Sequence, residues 1–114
     1  MFRDKGASRT GLAGGGWQRL TAVYIAVFLM PALLWLTLNP PASYAQWRQW
    51  LTMPGVEVAL ALFVAATALH AYVGMRDIFM DYTPAGPVRL GLLGAWTVAV
   101  AAYLAWGLLW IASL

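Results

Sequence analysis

The sequence contains no cysteine and little charge, with four Asp or Glu and seven Lys or Arg in 114 residues. Without cysteine there are no disulfides, thiolate zinc sites or cysteine-ligated iron–sulfur clusters. If the chain handles electrons, something other than sulfur holds the carrier. The scarcity of charge excludes more. Charged residues make up 10% of the chain and apolar ones 62%, against about 25% and 45–50% in a soluble domain. That is too little polar surface to face water on every side. A bilayer core about 30 Å thick takes about 20 apolar residues per helical crossing. Three crossings and their connections therefore consume nearly all of the sequence, leaving no length for a Rossmann unit, a soluble catalytic domain or a nucleic-acid module.

What is present is apolar sequence in long blocks. Residues 1–16 are basic and glycine-rich, without apolar periodicity, and read as a flexible arm. Gly14-Gly15-Gly16 is a linker, since neither a strand before it nor a Lys-Ser/Thr pair after it makes a phosphate loop. Residues 17–114 form one membrane domain with spans at about 17–38, 55–80 and 88–113. The first span has an uncharged run from Leu20 to Leu38, is expected to kink at Pro31, and stops at Asn39-Pro40-Pro41. That run exceeds the roughly 7–15 residues of a signal-peptide core, so it is expected to stay in the membrane although Ser43-Tyr44-Ala45 loosely resembles a cleavage site. Residues 39–53, with Trp47, Arg48 and Trp50, read as an interfacial loop. Pro54 suits a first helical turn, and Thr83-Pro84-Ala85-Gly86-Pro87 is a tight turn. Gly91, Ala95 and Ala99 form a small-residue stripe suited to close helix packing.

The positions of the charges give an orientation. Arg3, Lys5, Arg9 and Arg19 precede the first span, Arg76 and Arg89 flank the second turn on the same side, and Arg48 stands alone on the other. By the positive-inside rule the N-terminus is inside. The pI near 9.7 then follows from topology and requires no nucleic-acid partner. Trp17 falls at the inner interface and Trp47, Trp50 and Trp110 at the outer one, as an aromatic belt. Trp35, Trp96 and Trp106 lie deeper and are expected to pack against neighbouring helices.

His70, the one histidine, lies within the second span. An ionisable side chain there is costly and marks a functional position by default; the alternative is a structural imidazole bonded to a neighbouring backbone carbonyl. At 100° per residue, Phe63, Gly74, Asp77 and Asp81 fall within about 40° of its direction. Gly74 removes a side chain one turn away, where a flat ligand or another helix can approach. His70 sits about 9 Å below the layer of Arg76, a depth at which a haem would carry its propionates to the inner interface, near Arg19. Met75 and Met80 share the helix of His70 and cannot reach the opposite face of a porphyrin, so a second axial ligand needs a second chain.

These residues carry a resemblance. The segment Leu69-His70-Ala71-Tyr72-Val73-Gly74-Met75-Arg76-Asp77-Ile78-Phe79-Met80-Asp81-Tyr82 resembles the signature of the small D-type membrane anchor subunits of succinate dehydrogenase, respiratory complex II. Trp17-Gln18-Arg19-Leu20-Thr21-Ala22 is similar to the start of the family's first span, and the resemblance covers about residues 17–114. It implies an all-α integral membrane fold of three spans, N-terminus inside, packed with a second three-helix anchor of the C type in a bacterial inner membrane. It also implies that the chain is part of an enzyme, with flavoprotein and iron–sulfur partners that carry succinate oxidation. By the same resemblance His70 is an axial ligand of a haem b shared with the C-type anchor, and Arg19 lies near the propionates. Tyr82 donates a hydrogen bond to a ubiquinone carbonyl, with Asp81 as its acidic neighbour. Other readings remain at this stage. Tyr82 also fits an interfacial aromatic, Arg76 and Asp77 fit solvated head-group residues, and the chain fits a cofactor-free structural or assembly protein or a fumarate reductase anchor.

Overall fold

A computed structural model describes the backbone from Phe2 and the side chains from Gly16 to Leu114. The basic arm expected at 1–16 lies, apart from Gly16, outside the residues described with side chains. Four helices follow in order: α1 (Phe2–Leu38), α2 (Tyr44–Leu51), α3 (Pro54–Tyr82) and α4 (Pro87–Ala112). No strand occurs among the described residues. Three segments are long and apolar enough to cross a bilayer: Gly16–Leu38, Pro54–Tyr82 and Pro87–Ala112, of 23, 29 and 26 residues. At about 1.5 Å per residue each exceeds the roughly 30 Å hydrocarbon core. α1 stays helical through Pro31.

The interfacial loop expected at 39–53 contains a helix. Ser43 caps α2 by accepting from the Gln46 N–H at 3.1 Å, and Gln46 Oε1 accepts from the Ala42 N–H at 2.7 Å. This reciprocal Ser-x-x-Gln arrangement satisfies backbone donors that a short helix otherwise leaves open. α2 then ties one end of the molecule together. Trp50 meets Trp35 of α1 edge-on at 6.3 Å, Leu51 is buried, and the Arg48 guanidinium donates to the Leu114 carbonyl beyond α4.

α3 is the central helix. It packs against both α1 and α4, and among the described residues α1 and α4 do not pack against each other. The α1 face is written at helical spacing in Gln18, Thr21, Tyr24 and Phe28. Phe28 stacks on Phe63 at 4.8 Å, and the Tyr24 hydroxyl donates to the Ala59 carbonyl at 2.8 Å. On the other side Trp96 Nε1 donates to the Ala71 carbonyl at 3.2 Å, as expected of a deep tryptophan, and the Tyr103 and Thr67 hydroxyls lie 2.6 Å apart. Trp106 differs from expectation, being 66% exposed. It is directed at whatever surrounds the bundle.

The small-residue stripe also serves differently from expectation. Gly91, Ala95 and Ala99 are all exposed, and a Cβ on Gly91 would meet nothing within 4 Å. The close approach of α4 to α3 falls instead at Gly107, where a Cβ would come within 2.8 Å of Val64 Cγ1. Val64 is β-branched and stiff, so it yields poorly. Among the described residues Leu51, Ala68, Val73 and Ile111 are the buried apolar ones, and no large side chain is fully buried. In the most apolar 18-residue stretch of each span, in chain order, only 6%, 11% and 6% of the residues are buried. Stability therefore depends on lipid or other helices covering the remainder.

Gly107→Ala is expected to overpack the α3–α4 seam at a cost of about 1–3 kcal/mol, lowering the thermal midpoint of the assembled protein in detergent or nanodiscs. Val64→Ala in the same chain should recover part of that loss. If the single and double variants melt alike, the seam does not close at Gly107.

Candidate functional site

His70 lies on α3 twelve positions before Tyr82, the helix's last residue, about 18 Å along the axis. Its side chain faces α1, where Nδ1 lies 3.1 Å from Thr21 Oγ1. Thr21 is the single buried polar residue among those described, at 6% exposure. Its hydroxyl also lies 2.7 Å from the Trp17 carbonyl and 3.1 Å from the Gln18 carbonyl. The imidazole is thus held by a threonine side chain and not by the backbone carbonyl that a purely structural histidine was expected to find. The second ring nitrogen, Nε2, makes no hydrogen bond with the described residues, yet no buried side-chain nitrogen or oxygen lacks a partner. Nε2 is therefore not sealed off by the described residues.

One turn further on, a Cβ at Gly74 would come within 2.8 Å of Gln18 Nε2. Of the two uses foreseen for the gap at Gly74, the structure takes the second: α1 fills it with an amide. Phe63, His70 and Gly74 thus form the α1 contact, through Phe28, Thr21 and Gln18 respectively. Beyond Gly74 the same face continues to Asp77 and Asp81. Asp77 lies 3.6 Å from Arg76, with both side chains more than a third exposed, a surface pair of little energetic weight.

Asp81 and Tyr82 are exposed at the end of α3. The turn that follows is held from α4. Arg89 donates from Nε to the Thr83 carbonyl at 3.1 Å, and from Nη2 to the Thr83 and Met80 carbonyls at 2.7 and 2.9 Å. A guanidinium on the last carbonyls of a helix complements its dipole as well as its open acceptors. Gly86 has φ of +140° and caps α4 ahead of Pro87; a side chain is strained there, so the tight turn needs glycine. The placement of Asp81 and Tyr82 is therefore fixed from the neighbouring helix.

The sequence-based site residues fall in three places. His70 is at the α1–α3 seam, and Asp81 with Tyr82 is at the turn end of α3. Arg19 is exposed, about 160° around α1 from Thr21, and makes no hydrogen bond or ion pair with the described residues. Within this chain Arg19 and Tyr82 do not meet His70. Thr21, Gln18 and Arg89 were not singled out by side-chain chemistry. The available signal for Thr21 was a hydroxyl in an otherwise apolar run, inside the quoted segment at 17–22. An open groove of about 370 Å³ between α3 and α4, bordered by Ala71, Trp96 and Tyr103, contains none of these site residues.

Three apolar helices around a central α3, with most of their surface left for lipid or other helices, define a multi-pass membrane protein. Residues 7–109 match the family described as succinate dehydrogenase/fumarate reductase transmembrane subunit, and the chain belongs to that family of membrane anchors. It is 29% identical over 107 residues to the succinate dehydrogenase hydrophobic membrane anchor subunit of Coxiella burnetii (strain RSA 493 / Nine Mile phase I), covering 92% of this chain and 93% of that relative.

Arg89→Met removes the charged donor from the end of α3. A hydrogen bond from a charged group contributes about 1.5–3 kcal/mol, and half exposure places this one at the lower end. Faster hydrogen exchange is expected at the amides of residues 79–83, with the middle of α3 unchanged. Unaltered exchange at the turn would mean that Gly86 and the prolines suffice to hold it.

Proposed function

We propose that this chain is the D-type membrane anchor of a succinate:ubiquinone oxidoreductase in a bacterial inner membrane, providing one axial ligand of haem b and part of the ubiquinone-reduction site. The observation that carries the proposal is the His70 ring, held at Nδ1 by Thr21 and unbonded at Nε2 by the described residues. In hydrocarbon no water satisfies a ring nitrogen, so its partner must come from another molecule in the membrane. An imidazole held at Nδ1 and open at Nε2 is the donor arrangement that a haem iron requires. When bound, the haem supplies a one-electron carrier inside the bilayer. Met75 and Met80 share α3 with His70, so a second ligand to the haem iron would come from the C-type anchor. Arg19 lies two residues nearer the turn end than Thr21, about 3 Å along the axis, and its exposed guanidinium fits a propionate presented between the two anchors.

The charge asymmetry puts the α3–α4 turn on the cytoplasmic side. There a flavoprotein and an iron–sulfur subunit dock, and succinate is oxidised on them. Electrons reach ubiquinone at the membrane surface, where the exposed Tyr82 offers a phenol, a neutral donor suited to a quinone carbonyl. Reduction to the quinol takes two electrons and two protons, and Asp81 stands beside Tyr82 on the side from which the protons come. The family description covers fumarate reductase as well, and the same residues serve that direction with other soluble subunits. The His70–Thr21 contact also fits a cofactor-free packing role, which the following experiment separates.

The purified complex is expected to show a b-type haem spectrum that is altered or lost in His70→Ala. A wild-type complex without haem, or an unchanged spectrum in the variant, contradicts haem ligation by His70. Tyr82→Phe keeps the ring and removes one hydroxyl. A neutral hydrogen bond worth about 0.5–1.5 kcal/mol corresponds to a roughly 2- to 10-fold fall in succinate-driven quinone reduction. Electron transfer to an artificial acceptor upstream, and the haem spectrum, should be preserved. Quinone reduction at the wild-type rate would make Tyr82 an interfacial aromatic only.

A further inference from the structure

We infer that Thr21 is a positioning residue that selects the ligating nitrogen of His70; this rests on the haem reading above. The inference starts from one hydroxyl proton with three neighbours. Thr21 Oγ1 lies 2.7 Å from the Trp17 carbonyl, 3.1 Å from the Gln18 carbonyl and 3.1 Å from His70 Nδ1. A threonine within a helix commonly donates its proton back to the carbonyl four residues earlier, and the Trp17 carbonyl is both that group and the nearest. With the proton committed there, Oγ1 can only accept from the imidazole, so the ring proton resides on Nδ1. A neutral imidazole has a single N–H, which leaves Nε2 with its lone pair, and Nε2 is the nitrogen without a partner among the described residues. The opposite tautomer would set two acceptors, Nδ1 and Oγ1, against each other in a buried place.

The seam repeats this device on the other side of α3. Thr67 Oγ1 lies 2.9 and 3.0 Å from the Phe63 and Val64 carbonyls of its own helix, and meets the Tyr103 hydroxyl at 2.6 Å. At each interface a threonine bound back to its own helix receives a ring-borne polar group from the next one. In the α1–α3 case the received group is an imidazole whose other nitrogen has no partner among the described residues, so docking of α1 and orienting of His70 are a single event. A ligating histidine whose remote N–H has an acceptor is a stronger donor, and loss of such an acceptor typically reduces affinity about 10- to 100-fold.

The test uses the whole membrane complex. Thr21→Val keeps the shape and removes the hydroxyl, Thr21→Ala removes it with less bulk, and Thr21→Ser keeps it. Valine and alanine are expected to raise the haem midpoint potential, because the ring donates less to the ferric iron, and to speed haem loss to an added acceptor protein by on the order of 10-fold. Serine is expected to match the wild type in both. Wild-type potential and retention in Thr21→Val overturn the inference, as does equal damage from valine and serine, which would make Thr21 a packing residue. Failure of both Thr21→Val and Thr21→Ala to assemble while Thr21→Ser assembles would place the hydroxyl in helix packing and likewise overturn it. These outcomes differ from failure of the haem reading itself, in which the wild-type complex carries no b-type haem or His70→Ala retains it unchanged.

Discussion

Every polar group inside a bilayer must find its partner in protein or ligand, because the surrounding hydrocarbon offers none. In this chain that constraint falls most heavily on His70. One side of its ring is answered by Thr21, the single buried polar residue among those described. The other side has no partner among the described residues. The arrangement around the ring follows from this: a threonine on α1 facing a histidine on α3, a glycine one turn away that admits Gln18, and a phenylalanine pair that closes the seam above. An apolar residue in place of His70 would pack these helices at lower cost. A histidine half satisfied from within is economical only when something outside the chain completes it.

The incompleteness extends to the whole molecule. Among the described residues α3 alone touches both other spans, and no large side chain is fully enclosed. Leu20, Val27, Met30 and Leu34 on α1, and Leu90, Val98, Trp106 and Leu109 on α4, are all largely exposed. In water such a chain would aggregate; in a membrane it is ready for lipid and for neighbouring helices. For a membrane anchor this is consistent, and the exposed Asp81–Tyr82 pair lies at the end of the central span. Arg89 and Gly86 keep that pair in place from the α4 side.

The three spans were legible because length and apolarity alone decide them; no tertiary contact is needed to read a 29-residue apolar helix. His70 and Tyr82 stood out as candidates for a related reason, each being a polar group where the bilayer makes polarity expensive or confines it to the interface. The helix at Tyr44–Leu51 was written in Ser43 and Gln46, but two prolines and a mixed composition gave it the look of a loop. Packing partners were harder to read. Three glycines on α4 offer close approach, at Gly91, Gly94 and Gly107, and which of them meets α3 depends on the rotation of α4, set by Trp96, Tyr103 and Val64 together. Thr21 escaped notice because a helix hydroxyl usually satisfies itself locally; its meaning emerges only when α3 brings His70 to it.

The most direct measurement is a high-resolution map of the intact complex in lipid, read at the Nε2 edge of the His70 ring. The account predicts a porphyrin there, its iron bonded to Nε2, with Thr21 Oγ1 within hydrogen-bond distance of Nδ1. Lipid tails or a partner side chain packed against Nε2, with no porphyrin beside it, would contradict it.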